Sequence, residues 1–190
     1  MKYRTFLLFG APGSGKGTQG LIVARRLGIP KIATGDIIRA AMKDGSPLGK
    51  EAKRFYDAGK LVPDNVIADL IKAELAKPEA QEGAIFDGFP RTAAQAELVD
   101  KTLAQRSHRL THVLLLDVPE EELVERLRGR ALHEGRTDDT PEAIRTRLVV
   151  YQQDTAPLVA HYAQRGIVHR VPGVGEVDAI AQEIKRVLGR

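Results

Sequence analysis

The stretch Gly10-Ala11-Pro12-Gly13-Ser14-Gly15-Lys16-Gly17-Thr18 joins a flexible backbone to a single cation. Gly10, Gly15 and Lys16 stand at the spacing G-x-x-x-x-G-K, between an apolar run and a helical pattern. Glycine lets successive backbone N–H groups turn toward one anion with no Cβ in the way. A helix N-terminus adds partial positive charge, and Lys16 adds a full one. Such a loop grips the phosphates of a nucleotide through Gly13, Ser14, Gly15, Lys16, Gly17 and Thr18. The plainer reading, a glycine-rich turn with a solvated lysine, leaves the strand before it and the helix after it unexplained. Gly17 follows Lys16 where a magnesium-binding hydroxyl commonly stands, so Thr18 is the candidate hydroxyl, one position late.

Three further segments carry polar residues suited to a second anion. Thr34-Gly35-Asp36 precedes Arg39 by one helical turn, and Ala58-Gly59-Lys60-Leu61-Val62-Pro63-Asp64 reads as a turn. Taken singly, these are an ordinary helix cap and an ordinary loop. Asp87-Gly88-Phe89-Pro90-Arg91-Thr92-Ala93-Ala94-Gln95 is sharper, because it follows the strand-like run Ala84–Phe86. Open α/β sheets bind ligands at that end of a strand. Arginine forks suit phosphate, and the Gln95 amide offers both a donor and an acceptor to a base edge. Asp87 suits a Mg²⁺ ion held through water, since magnesium keeps most of its hydration; the competing reading is a cap before Gly88. Asp36 is a weaker candidate for the same ion.

Arginines recur further on, at Arg126, Arg128, Arg130, Arg136, Arg145 and Arg147. Arginine runs on helices are commonly solvated faces, which suits Arg128 and Arg145.

Together these motifs resemble the adenylate kinases and their nucleoside monophosphate kinase relatives, over nearly the whole chain from Thr5 to about Val171. The resemblance implies ATP on the phosphate loop, with Gly175 in a loop beside the adenine. It implies Arg39 and Arg91 on the AMP phosphate, Thr34, Gly88 and Gln95 about the AMP adenine, and Gly35 in the same AMP site. Lys60, Leu61, Val62 and Ile67 would run along sugar and base. Arg126, Arg130, Arg136 and Arg147 would converge on ATP and the transferred phosphoryl group, Arg136 and Arg147 also reaching AMP. Lys16, Arg91, Arg126, Arg136 and Arg147 are thus the candidates for catalysis, which needs positioning and electrostatics but no side-chain nucleophile. Related UMP/CMP kinases carry Asn at the positions of Thr92 and Gln95, so Gln95 favours adenine. Asp138-Asp139 fits either pairing with lid arginines or capping the next helix. Ala131-Leu132-His133 departs from the short-lid relatives.

To position these groups the chain needs a sheet whose strand ends meet. Strand-like runs at Phe6–Phe9, Ala84–Phe86, Val113–Val118 and Ile167–Val171 alternate with helical patterns. The helices are expected at Lys16–Leu27, Asn65–Leu75, Thr92–Leu103, Glu120–Leu127, Pro141–Gln164 and Val177–Leu188. That alternation predicts an α/β fold, a parallel sheet with helices on both faces. The resemblance makes it of the P-loop NTPase type. Thr140 and Pro141 read as N-cap and first residue of a long helix, kinked at Pro157 and ended by Gly166. A single domain over 1–190 is expected, with a nucleoside-monophosphate-binding insertion at 34–63 and a short polar lid at 130–140.

Composition narrows the functions left open. The chain has 190 residues and no cysteine, which removes a disulfide framework and a cysteine-held zinc. Its net charge is +4, but the cations are scattered and aromatics make up only 5%, so neither a nucleic-acid tail nor a stacking platform is expected. The run Phe6–Phe9 is too short for a signal peptide, and no stretch approaches the roughly 20 apolar residues that span a membrane. The expectation is a cytoplasmic monomer acting on ATP and AMP or ADP with Mg²⁺ and without zinc, nucleic acid or membrane. The rivals are a UMP/CMP-type kinase, a non-catalytic nucleotide sensor on the same fold, and a nucleic-acid-binding protein motivated by the basic pI of about 9.4.

Overall fold

A computed structural model describes residues 4–45, 47–134 and 139–189. Five strands, β1 (Arg4–Phe9), β2 (Lys31–Ala33), β3 (Gly83–Asp87), β4 (Leu110–Asp117) and β5 (Val168–Pro172), form one sheet in the order β2-β3-β1-β4-β5. All four pairings are parallel. This is the expected sheet plus one strand, β2, whose three residues are too few to show a periodicity.

Parallel strands are covered on both faces, so they read as continuous apolar runs. Side-chain alternation then divides β1 between two cores. Leu7 and Phe9 face a core shared with Phe86, Val113, Ile71 and Leu103. Phe6 and Leu8 face the opposite core, with Val23, Leu114, Ile180 and Ile184. The first is closed by helices that include α4 (Asp64–Ala76) and α5 (Ala93–Gln105), the second by α1 (Lys16–Leu27) and α9 (Val177–Val187). Each fully buried Leu or Phe contributes roughly 1.5–3 kcal/mol. Helix α1 stops at Gly28, whose φ of 66° lets its N–H cap the Ala24 carbonyl.

Between β2 and β3 the chain adds α2 (Thr34–Lys43) and α3 (Pro47–Asp57) before α4. Among the described residues, the expected insertion is therefore largely a helical pair. Helix α6 (Glu120–Glu134) runs past the expected end at Leu127. Arg130, Ala131, Leu132 and His133 continue the helix across Gly129, a single interior glycine whose cost of about 1 kcal/mol the good helix formers Arg130, Ala131 and Leu132 offset. The first part of the expected polar lid is thus helical. Residues 135–138, including Arg136 and Asp138, lie outside the described residues.

The long helix expected over Pro141–Gln164 divides. Helix α7 (Pro141–Val150) starts as foreseen, with the Thr140 hydroxyl accepting from the Ala143 N–H at 3.2 Å. A π turn over Tyr151–Thr155 comes next, in which the Ala156 N–H reaches back to the Tyr151 carbonyl at 2.8 Å. Helix α8 (Pro157–Ala163) then resumes. Proline cannot donate to the ladder and its ring crowds the preceding turn. The widened turn relieves that crowding by inserting a residue, in place of a simple kink. No helix among the described residues is long and apolar enough to cross a membrane.

Candidate active site

The loops that leave β1, β2, β3 and β5 border one cleft of about 820 Å³. Its central part is the loop after β1, the middle strand, where the sheet connections diverge to either side. Gly10 has φ 140°, and a Cβ there would stand 2.7 Å from the Leu116 carbonyl, so only glycine lets the loop turn so close to β4. Gly13, Ser14, Gly15, Lys16, Gly17 and Thr18 all line the cleft. The Lys16 ammonium donates to the Gly10 and Ala11 carbonyls at 2.7 and 2.9 Å. Burial pushes its pKa down to about 8; Asp87 opposes the shift, while Arg91, Arg147 and Arg130 add to it. Three arginines from three separate segments thus converge electrostatically on one lysine.

A smaller recess of about 80 Å³ opens beside the cleft. Thr34, Gly35, Arg39, Lys60, Leu61, Val62, Ile67, Gly88, Arg91, Gln95 and Arg147 line it, which brings together every described residue expected there, Arg136 lying outside the described residues. Arg39, Arg91 and Arg147 line both cavities and so stand on their common wall. Arg91 is held firmly: its Nε donates to the Gly88 carbonyl at 2.7 Å, and its own carbonyl accepts from the Thr155 hydroxyl at 3.1 Å. The Thr34 hydroxyl also donates to the Gly88 carbonyl, at 3.0 Å. Arg39 pairs with the Asp36 carboxylate and the Tyr56 hydroxyl.

The remaining arginines come from α6 and α7. Arg126 donates to Glu122 at 2.7 Å and to the Gly173 carbonyl at 3.0 Å, which ties α6 to the loop after β5. Gly175, in that loop, also lines the cleft. Arg130 makes a two-pronged bond to Asp139, Nε to Oδ2 at 2.6 Å and Nη2 to Oδ1 at 2.8 Å. Arg147 donates to the same carboxylate at 2.8 Å. Of the two readings of Asp139, pairing with arginines is therefore the one seen, and Thr140 is the cap.

Asp87 closes β3 on the cleft floor with its side chain 14% exposed, 3.6 Å from the Lys31 ammonium. Lys31 also reaches Asp36 at 3.3 Å. The Asp36 carboxyl is held below its usual range; burial works against this, but Lys31 and Arg39 outweigh it. Asp36, Asp87 and Thr18 border the site, although among the described residues no cluster of three or more acidic or histidine side chains forms a protein-only cage. A few carboxylate oxygens facing a phosphate loop suit a hydrated Mg²⁺ carried by a nucleotide. The donor set therefore fits.

Sequence reasoning passed over Lys31, Tyr56 and Gln19. Lys31 sits on the short strand β2, and Tyr56 lies 17 positions from its arginine. Gln19 is buried on α1, and its amide donates to the Val177 carbonyl at 2.9 Å, joining the phosphate loop's helix to α9. A glutamine at 2% exposure is unusual enough to signal a role, but only once burial is known.

The sequence profile of the adenylate kinases matches residues 8–167. The chain belongs to the adenylate kinase family. A protein of Kocuria rhizophila named adenylate kinase is 48% identical over 184 residues, 97% of this chain and 98% of its own length. An adenylate kinase of Thermus thermophilus is 48% identical over 183 residues, covering 96% of each chain. One of Stenotrophomonas maltophilia is 49% identical over 178 residues, 94% of this chain and 95% of its own. As an adenylate kinase the chain is a phosphotransferase enzyme, and its all-parallel sheet with helices on both faces is the α/β architecture expected of that family.

Proposed function

We propose that ATP occupies the large cleft of this adenylate kinase and AMP the adjoining recess, so that the two nucleotides meet at the wall formed by Arg39, Arg91 and Arg147. The family reaction is the reversible transfer of the terminal phosphoryl group of ATP to AMP, giving two ADP. The shared arginine wall is the observation that carries the assignment, because two phosphate chains must approach head-on there.

In this reading the backbone N–H groups of residues 13–18 and the Lys16 ammonium hold the β- and γ-phosphates. Arg39 and Arg91 hold the AMP phosphate, an oxygen of which attacks the γ-phosphorus while the bond to the ADP oxygen breaks. Arg126, Arg130 and Arg147 stabilise charge that spreads over the transferred group. Arg136 joins them in the expectation drawn from the family. Asp87, with Asp36 and Thr18 nearby, would hold Mg²⁺ through water, and the ion supplies charge neutralisation on the phosphates. Thr34, Gly35, Gly88 and Gln95 frame the adenine of AMP, with Lys60, Leu61, Val62 and Ile67 along its sugar and base. The insertions at 34–63 and 130–140 would close over the nucleotides and exclude water. One chain supplies the walls of both cavities, which supports a monomer, and guanidinium groups sunk in a cleft suit free nucleotides better than nucleic acid. The reading makes it a cytoplasmic enzyme.

A coupled assay with Mg·ATP and AMP, CMP, UMP or GMP offered separately tests this. Strong turnover with AMP alone is expected. Preference for CMP or UMP would overturn the acceptor assignment, and no turnover with any would favour a nucleotide sensor.

A further inference from the structure

The Gln95 side chain is 3% exposed and held at both ends. Its Oε1 accepts from the Arg91 backbone N–H at 2.7 Å, and its Nε2 donates to Oδ1 of Asp64 at 2.6 Å. The second oxygen of Asp64 accepts from the Thr92 hydroxyl at 3.2 Å, and that hydroxyl accepts in turn from the Gln95 backbone N–H at 3.2 Å. Asp64 opens α4, and Thr92 caps α5. The carboxylate thus joins two helices through one amide.

This closed set of bonds fixes which end of the amide is which. A half-turn about the terminal bond would set Oε1 against the carboxylate and Nε2 against the Arg91 N–H, two acceptors together and two donors together. A primary amide has two N–H donors and two lone pairs on oxygen. One of each is used by Asp64 and Arg91, and the residue lines the acceptor recess with one donor and one acceptor in a fixed order. Adenine presents an acceptor at N1 beside a donor at its 6-amino group; guanine and hypoxanthine present a donor at N1 beside an acceptor at O6. A nucleotide anchored by its phosphate cannot turn over to exchange these.

We propose that Asp64 is a specificity-determining positioning residue, which sets the sense of the Gln95 amide and thereby makes the recess accept 6-amino and reject 6-oxo purine monophosphates. The proposal rests on the reading of that recess as the AMP site. Asp64 is exposed, so its replacement leaves the core intact.

The test compares Asp64→Ala, Asp64→Asn and Gln95→Ala, each assayed with AMP and IMP as acceptors. Asp64→Ala should lower the ratio of kcat/KM for AMP over IMP by about 10-fold, with the KM for ATP unchanged. Asp64→Asn retains a carbonyl acceptor for Nε2 and should keep the ratio within about 3-fold of the original. An unchanged ratio in Asp64→Ala, or an equal loss in Asp64→Asn, overturns the proposal. Should Gln95→Ala itself leave AMP use and selectivity untouched, the assignment of the recess fails as well. If Gln95→Ala loses selectivity while Asp64→Ala keeps it, only the role of Asp64 falls.

Discussion

The Asp139 carboxylate, with no exposed surface, accepts from the Arg147 guanidinium at 2.8 Å. Both its oxygens also receive Arg130, so one anion spaces two cations that face the same cleft. Removing one partner from a buried ion pair is strongly destabilising, because the remaining charges are left desolvated. Asp139→Ala should cost about 2–4 kcal/mol in urea unfolding and lower kcat. Asp139→Asn, which keeps an acceptor but no charge, should fall between. Wild-type stability and turnover in Asp139→Ala would show that the arginines are spaced by something else.

Lys16 binds its proton less tightly than a free lysine, with a pKa near 8 against an ordinary 10.5. A bound polyphosphate favours the charged ammonium and should raise the value again. The free enzyme loses this proton as pH rises through about 8, so above that pH binding must restore it. ATP binding should therefore take up about half a proton or more at about pH 8.5 and almost none at about pH 6.5, and affinity should fall across that interval. Titration calorimetry in buffers of different ionisation enthalpy reads the uptake directly. Absence of uptake at the alkaline end contradicts a neutralised Lys16. Lys16→Ala should abolish turnover and leave the fold intact by circular dichroism.

Gly59 lies in the turn after α3 with φ 69°, and a Cβ there would stand 2.7 Å from the Ala143 carbonyl and 2.8 Å from Cγ of Arg147. Gly59→Ala therefore combines left-handed backbone strain, about 1 kcal/mol, with a push on the arginine that faces both cavities. We expect a loss of at least about 1 kcal/mol in stability and a fall in kcat. A variant as stable and active as the parent would show that the turn and α7 can part freely.

Arg91→Lys keeps the charge but loses the fork and the Nε bond to Gly88. The KM for AMP should rise about 10-fold or more, with the KM for ATP changed much less. Equal rises for both nucleotides would move Arg91 to the donor side.

Much of this architecture is legible in the sequence, for physical reasons specific to each part. The phosphate loop shows itself because only glycine tolerates Gly10's approach to β4 and because Lys16 follows the glycines at the phosphate-loop spacing. Strands β1, β3 and β4 stand out as apolar runs because both of their faces are covered, while the edge strand β5, with His169 and an exposed Arg170 within it, is marked only by its valines. Strand β2 does not, since its fold information lies in pairing with β3 through Lys31, Ile32 and Ala33 rather than in its own pattern. The extension of α6 to Glu134 escapes a reading of polarity, because charged residues suit loops and helices alike and helix propensity decides between them. The acceptor residues are recognisable as a set by resemblance, while their bracing is not. Asp64 is 31 positions from Gln95, and only packing of α4 against α5 makes them neighbours.

The π turn at Tyr151–Thr155 sets the rotational phase of α8. An extra residue in one turn sets every later side chain back by about 100° relative to an uninterrupted α-helix. Thr155, the last residue of that turn, donates to the Arg91 carbonyl, and α8 leaves it with Leu158 and Tyr162 turned into the core. A single-residue deletion within 151–155 would make the helix locally more regular, yet it would swing the hydroxyl off Arg91 or turn the two apolar side chains out of the core. The irregular turn works as a clutch between two helical faces that cannot share one winding, one set by the arginine wall and the other by the sheet.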